Sequence, residues 1–233
     1  MALVTGGAVR VGQAISVRLA RQGMRLAIAY HRSALEARTL IRSLRARGVD
    51  AAAFPADLRS AADARRLVVE TVRHFGRLDV LVNSAAVFER TPFGTTTPAQ
   101  FDSHLSLNLR GAFFCAQAAT RHMAEGWIVN IGDAGIDRVW PCYIPYTLSK
   151  IGVHALTRCL AVALAPRIAV NCVAPGPVLR PLGFPLTTWR SVRGRGAAGP
   201  GDVASAVAFF ATCPRSITGR ILVVGGEAGA VTP

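Results

Sequence analysis

The sequence predicts an α/β chain: a doubly wound parallel sheet of about seven strands with helices on both faces. Three observations predict it. Short apolar runs alternate with helical-period stretches from one end of the chain to the other, the pattern of repeated strand–helix units. A glycine-rich turn, Thr5-Gly6-Gly7-Ala8-Val9-Arg10-Val11-Gly12, joins the first apolar run to the first helical stretch. No internal repeat and no clear linker interrupts the alternation, so residues 1–233 read as a single domain.

Residues 1–5 are the first strand. Val11, Ala14, Ile15, Leu19 and Ala20 then recur at helical spacing, and Gly23 ends that helix. Residues 24–30 read as a second buried strand, and 34–47 as an amphipathic helix ending at Gly48. Residues 51–54 form a third strand, followed by Asp57-Leu58, and 60–75 a helix closed at Gly76. A fourth strand covers 79–83. After a Thr/Pro loop, 98–124 is expected to be mostly helical. A fifth strand (127–131), a helix (146–164) and a sixth strand (168–173) follow. The Gly/Pro/Arg-rich stretch 175–200 is expected to be a mobile loop over a site, with about 178–200 meeting substrate. A helix (201–212) and a last strand (220–224) complete the pattern.

At 233 residues, 51% hydrophobic and 17% charged, the chain has ample apolar surface for one core. It holds no run of about 18 uninterrupted apolar residues, so no membrane span is expected. No signal peptide is expected either, because Met1-Ala-Leu-Val4 runs straight into the glycine turn. The five cysteines lack CxxC spacing and read as reduced thiols of a cytoplasmic protein, with no metal site. The net charge of +14 and a pI near 11.3 raise the question of nucleic acid. The 27 Lys and Arg are spread along the chain, however, and the densest groups, Arg38–Arg47 and Arg190–Arg195, carry no nucleic-acid-binding motif. Solvated faces and an anionic small-molecule site account for the charge, so no nucleic-acid partner is expected. Lys150 is the sole lysine.

Lys150 lies four residues after Tyr146, which puts a phenol and an ammonium on one helix face. A free phenol titrates near ~10, and a neighbouring cation favours the phenolate, so Lys150 is expected to lower the Tyr146 pKa and make an acid/base pair. Taken alone, such a pair is also what a solvated helix face produces by chance. The glycine turn supplies context: its backbone can approach a pyrophosphate, and the helix N-terminus attracts that charge. It departs from GxGxxG in having Arg10 at the middle glycine position. After the second strand, where NAD sites carry an acidic residue for the ribose, stand His31-Arg32-Ser33. A guanidinium and a hydroxyl suit a 2′-phosphate, which predicts NADPH as cofactor.

Together these motifs resemble the short-chain dehydrogenase/reductase family, whose fold is Rossmann-type: Thr5-Gly6 with Gly12, Asp57-Leu58, Asn83-x-Ala85, Asn108, Tyr146-x-x-x-Lys150 and Asn171-x-x-x-Pro175-Gly176. Within that family the chain looks most like the pteridine reductases. Arg10 in the glycine loop, Tyr30-His31-Arg32-Ser33-Ala34, and Asp133 thirteen residues before the tyrosine, where most of the family has Ser, carry that likeness. The resemblance implies a catalytic set of Asp133, Tyr146, Lys150 and Asn108. Tyr146 would donate the proton, Lys150 would bind the nicotinamide ribose, and Asn108 would help hold Lys150. It implies cofactor contacts from Gly6, Arg10, Val11, Gly12, His31, Arg32, Ser33, Asp57, Leu58, Asn83, Ser84, Ala85, Tyr146, Lys150, Pro175, Gly176 and Val178. Substrate contacts would come from Arg10, Phe88, Asp133 and Tyr146, with Phe88 stacking on a pterin ring and Asp133 accepting its N–H donors. The expected function is therefore NADPH-dependent reduction of a pteridine or dihydrofolate-type heterocycle. The alternatives are a short-chain carbonyl reductase (ketone, quinone or acyl thioester) and a catalytically degenerate nucleotide-binding protein. The resemblance also implies a homotetramer, with the helices around 98–124 and 146–164 in one interface.

Several positions depart from that pattern: Ser84, Ala86, Gly225-Gly226 without a preceding Asp, and a short loop after Pro177. Trp140, Tyr143, Leu179, Leu182 and Trp189 are candidate pocket walls.

Overall fold

A computed structural model of the chain describes residues 1–136, 140–181, 183–193 and 197–225. Seven strands among them, β1 (Ala2–Thr5), β2 (Leu26–Tyr30), β3 (Ala51–Pro55), β4 (Val80–Asn83), β5 (Gly126–Ile131), β6 (Ile168–Pro175) and β7 (Ile221–Val224), pair in parallel in the order β3-β2-β1-β4-β5-β6-β7. The chain winds outward from β1 to β3, returns across the sheet to β4, and winds the other way. The carboxyl ends of β1 and β4 therefore flank a topological switch point, where open parallel sheets form their ligand crevice.

Alternate strand residues feed opposite cores, as a period of two requires. Ala2 and Val4 pack with Ile15 and Leu19 of α1 (Arg10–Arg21), Leu40 and Ile41 of α2 (Ala34–Arg45), and Val203 and Val207 of a later helix. Leu3 and Ala27 face the other way, onto Leu67 and Val68 of α3 (Ala61–Phe75). The helix ends follow from local chemistry. The Ser60 hydroxyl accepts from the Asp63 N–H to start α3, and Gly76, at φ +75°, closes it in the left-handed conformation.

The stretch 98–124, expected to be mostly helical, is helical in three consecutive parts. α4 (Pro98–His104) starts at a Thr97–Gln100 capping box, a π-helical segment (Leu105–Gly111) follows, and α5 (Ala112–Ala119) ends short of 124. The wider turn accommodates Asn108, whose side chain turns away from the helix to bond a neighbouring loop. Gly111 completes it: an added Cβ would lie 2.8 Å from the Leu58 carbonyl oxygen.

α6 (Ile144–Leu164) runs 21 residues. By length and composition alone it is long and apolar enough to cross a membrane, although it holds no uninterrupted apolar run of that length. Ser149, Lys150, His154 and Thr157 on it are buried, as on a helix packed against a sheet. The 175–200 stretch also differs from the expected loop, because α7 (Leu186–Arg193) occupies its middle. α8 (Pro200–Phe210) follows, with the Gly199 N–H donating to the Asp202 carboxylate at its start. Leu182, Gly226 and the far end of the Arg190–Arg195 group lie outside the described residues.

Candidate active site

The carboxyl ends of the strands open into a cleft of about 750 Å³. At one end lies the glycine turn. Thr5 Oγ1 accepts from the Ser84 and Ala85 N–H groups at 2.9 and 3.1 Å, drawing the loop after β4 against β1. Gly6 has φ +62°, and a Cβ there would sit 3.0 Å from Ala85 Cα, so glycine is needed for both conformation and approach. Arg10 also adopts a left-handed φ, +54°, at the position where GxGxxG has its middle glycine. A side chain in that conformation costs about 1–2 kcal/mol. Its guanidinium bonds the carbonyls of Leu179 and Arg180, at 3.4 and 3.0 Å, and so ties the glycine turn to the loop after β6.

Next along the cleft are His31, Arg32 and Ser33 after β2, and Asp57, Leu58 and Arg59 after β3. Asp57 accepts from the Arg59 N–H at 3.1 Å and its guanidinium at 3.3 Å, and its carboxylate is 3.8 Å from His31 Nε2. Burial opposes ionisation of Asp57, but the Arg59 N–H and the charges of His31 and Arg59 outweigh it and hold the carboxyl below its ordinary range. A glycine turn at a helix N-terminus, a group of cations and a carboxylate at the strand ends fit the pyrophosphate, 2′-phosphate and adenosine of NADPH.

At the other end stand Asp133, Tyr146 and Lys150. Asp133 follows β5, and one of its oxygens accepts from the Gly135 N–H at 2.6 Å. The other accepts from the Tyr146 hydroxyl at 2.5 Å. Lys150, 4% exposed, donates to the Ile131 carbonyl at 2.8 Å, and its Nζ is 5.9 Å from the Tyr146 ring centroid. The expectation that Lys150 lowers the Tyr146 pKa is not met. Burial first, then the charge and hydrogen bond of Asp133, raise it well above the usual phenol range. Burial also lowers the Lys150 pKa, opposed by Asp133 and Cys172. The i, i+4 spacing was read correctly as a shared face. What the sequence could not convey is how closely a carboxylate thirteen residues upstream approaches the phenol.

Phe88 forms the wall beside Tyr146. It stacks on Tyr143 (centroids 4.5 Å apart, 10° between planes) and meets Tyr146 edge-on at 4.6 Å. Trp140, Tyr143, Leu179 and Trp189 also line the cleft, as do Gly6, Arg10, Val11, Gly12, Ser84, Ala85, Pro175, Gly176 and Val178. Asn83 and Asn108 stand behind it. Asn83 Nδ2 donates to Asn130 Oδ1 at 2.9 Å. Asn108 accepts from the Val87 N–H at 2.8 Å and donates to the Val87 carbonyl and to Ser149 Oγ. Its direct bonds thus hold the Phe88 loop and the residue before Lys150 rather than Lys150 itself.

Arg59 and His104 are among the residues of the site that were missed in the sequence. Arg59 carried a usable signal, a cation two residues beyond Asp57 at a strand end. His104 carried a weaker one, a histidine four residues before Asn108, and it is fully buried behind Phe88 and Tyr146.

A family model described as "Enoyl-(Acyl carrier protein) reductase" matches residues 7–226 of this chain. Versicolorin reductase 1 of Aspergillus parasiticus is 32% identical over 98% of this chain and 95% of its own length. The granaticin polyketide synthase putative ketoacyl reductase 2 of Streptomyces violaceoruber is 36% identical over 98% and 95%. The crystal structure of a short chain dehydrogenase from Burkholderia cenocepacia in complex with NADP superposes with a TM-score of 0.91, at 35% identity, over 98% of this chain and 97% of that one.

Proposed function

The chain belongs to the short-chain dehydrogenase/reductase family, and on that premise we propose that it is an NADPH-dependent oxidoreductase that reduces a carbonyl group borne on a flat ring system. One observation carries the reading: Tyr146 lines the cleft beside the stacked Phe88–Tyr143 pair, which suits a planar substrate held next to a proton donor. The ketoacyl reductase and versicolorin reductase names of its relatives support carbonyl chemistry over the pteridine reduction expected from sequence.

The hydride for the carbonyl carbon would come from NADPH when it is bound. The protein's own residues do the rest. Arg32, Ser33 and Arg59 would hold the 2′-phosphate end, and the Gly6–Gly12 turn would receive the pyrophosphate at the N-terminus of α1. The Tyr146 O–H turns from Asp133 toward the carbonyl oxygen and protonates it. Lys150, fixed by the Ile131 carbonyl, would hold the nicotinamide ribose hydroxyls beside Tyr146. Phe88 and Tyr143 keep the substrate plane beside Tyr146 and exclude water.

Asp133 favours a second reading. A carboxylate accepts N–H donors, and a pterin presents an amino group and a ring N–H where a simple ketone presents none. The test is NADPH oxidation followed in parallel with hydroxylated naphthalenones, quinones, a β-ketoacyl thioester, dihydrobiopterin and dihydrofolate. Turnover on the ring ketones supports the main reading. Turnover on the pterins alone transfers the assignment to a pteridine reductase.

We further propose a homotetramer. The exposed Ile144, Leu148 and Ile151 recur along one face of α6, while Phe101 and Phe113 are exposed on α4 and α5.

A further inference from the structure

The histidine behind the substrate wall has no part in the chemistry proposed above, yet both of its ring nitrogens are engaged. His104 is fully buried at the last turn of α4. Its Nδ1 is 2.9 Å from the Gln100 carbonyl, one helical turn back, and a carbonyl can only accept. Nδ1 therefore carries the proton, which leaves Nε2 as the acceptor. Nε2 takes the N–H of Glu89 at 3.3 Å. Glu89 directly follows Phe88, and the His104 ring meets the Tyr146 ring edge-on at 6.4 Å.

The backbone of the loop from 84 to 92 is held from outside at several places. Thr5 holds Ser84 and Ala85, Asn108 clasps Val87 from both sides, His104 holds Glu89, and the Thr91 N–H donates to the Cys142 carbonyl at 2.6 Å. Asn108 and His104 bracket Phe88, one residue before and one after it. They sit four residues apart, at the end of α4 and inside the π-helical segment. The Glu89 N–H faces a fully buried ring, so removing the acceptor leaves the loop to find its own partner elsewhere.

We propose that His104 is a positioning residue for substrate: by accepting the Glu89 N–H it fixes the Phe88 ring against Tyr143 and Tyr146, and so sets the width of the slot a flat substrate enters. The inference rests on the reading that Phe88 is the substrate wall. It holds equally for a ring ketone and for a pterin, because it concerns where the wall stands and not what is reduced.

Two variants test it. His104→Gln keeps an acceptor oxygen near the position of Nε2, and His104→Leu fills similar space without one. For whichever panel substrate turns over, His104→Leu is expected to raise the substrate KM about ten-fold, with kcat and the NADPH KM within about two-fold of wild type. His104→Gln is expected to recover most of that loss. Amide hydrogen exchange at residues 87–90, read without substrate, should quicken in the Leu variant and return toward wild type in the Gln variant. Equal behaviour of the two variants, or a parallel rise of the NADPH KM, would mean that His104 merely fills space and would overturn the proposal. If no panel substrate turns over, exchange alone decides. Faster exchange in the Leu variant only sustains the positioning role and shifts the failure to the substrate reading, whereas unchanged exchange in both overturns it.

Discussion

At the scale of single residues, the site turns on a carboxylate 2.5 Å from a phenol. Tyr146 must be protonated to act as an acid, and burial together with Asp133 keeps it protonated well beyond the ordinary phenol range. Both carboxylate contributions raise its pKa, so Asp133→Ser removes them and lets the value fall. The alkaline fall-off of kcat in the reductive direction should therefore begin at lower pH in that variant than in wild type, as a pH–rate profile will read. An unshifted limb would mean that another group sets it. Tyr146→Phe should lower kcat by about 1,000-fold while NADPH still binds, measured by fluorescence titration; retained turnover would remove Tyr146 from the acid role. Arg32→Ala should raise the KM for NADPH about ten-fold and leave that for NADH unchanged. An equal effect on both cofactors would place the 2′-phosphate elsewhere. The placement of Tyr146, Lys150, Arg32 and Asp133 at the cleft was legible in the sequence, Tyr146 and Lys150 from their helical spacing, Arg32 from its place after the second strand and Asp133 from the family resemblance. The sign of the Tyr146 shift was not, because it depends on a through-space distance between β5 and α6 that no local pattern encodes.

At the scale of elements, the segment between β4 and β5 departs most from its sequence pattern. An unbroken run of helical periodicity concealed a π-helical segment, since one added residue per turn changes side-chain direction without changing composition. The structure explains its placement: Gly111 lets the segment press on Leu58, and Arg110 bonds the Arg59 carbonyl, so this turn braces the loop that carries Asp57 and Arg59. Gly111→Ala should improve helix propensity by about 1 kcal/mol but meet the Leu58 backbone, an overpacking that costs about 1–3 kcal/mol. The expected outcome is a small net loss of stability in urea unfolding together with weaker NADPH binding. A stabilised variant with unchanged NADPH affinity would show that the brace is dispensable. α7 was hidden for another reason: its helical period lies within a Gly/Pro/Arg-rich stretch whose composition reads as loop.

At the scale of the whole molecule, a doubly wound parallel sheet of about seven strands was readable because strand–helix alternation leaves few alternatives, whereas the strand order came from the structure. How chains associate was not readable, since an apolar helix face looks the same whether it meets a sheet, a membrane or a second copy. α6 shows the ambiguity: one side carries buried Ser149, Lys150 and Thr157, and Leu148 and Ile151 are 45% exposed. Placing a charge among them, as in Ile151→Glu, should reduce the mass measured by light scattering from the four-chain value expected of the proposed assembly while NADPH binding persists. An unchanged mass would put the interface elsewhere.

Because Lys150 is the sole lysine, a lysine-specific protease has one place to cut the chain, after residue 150, within the helix that carries the site. That bond is sheltered while α6 stays wound against β6. Each cleavage event then times a transient unwinding of the active-site helix, and the slowing produced by NADPH measures how firmly the cofactor clamps it. The amino-acid composition has thus left the enzyme with a built-in clock for the opening of its own catalytic centre.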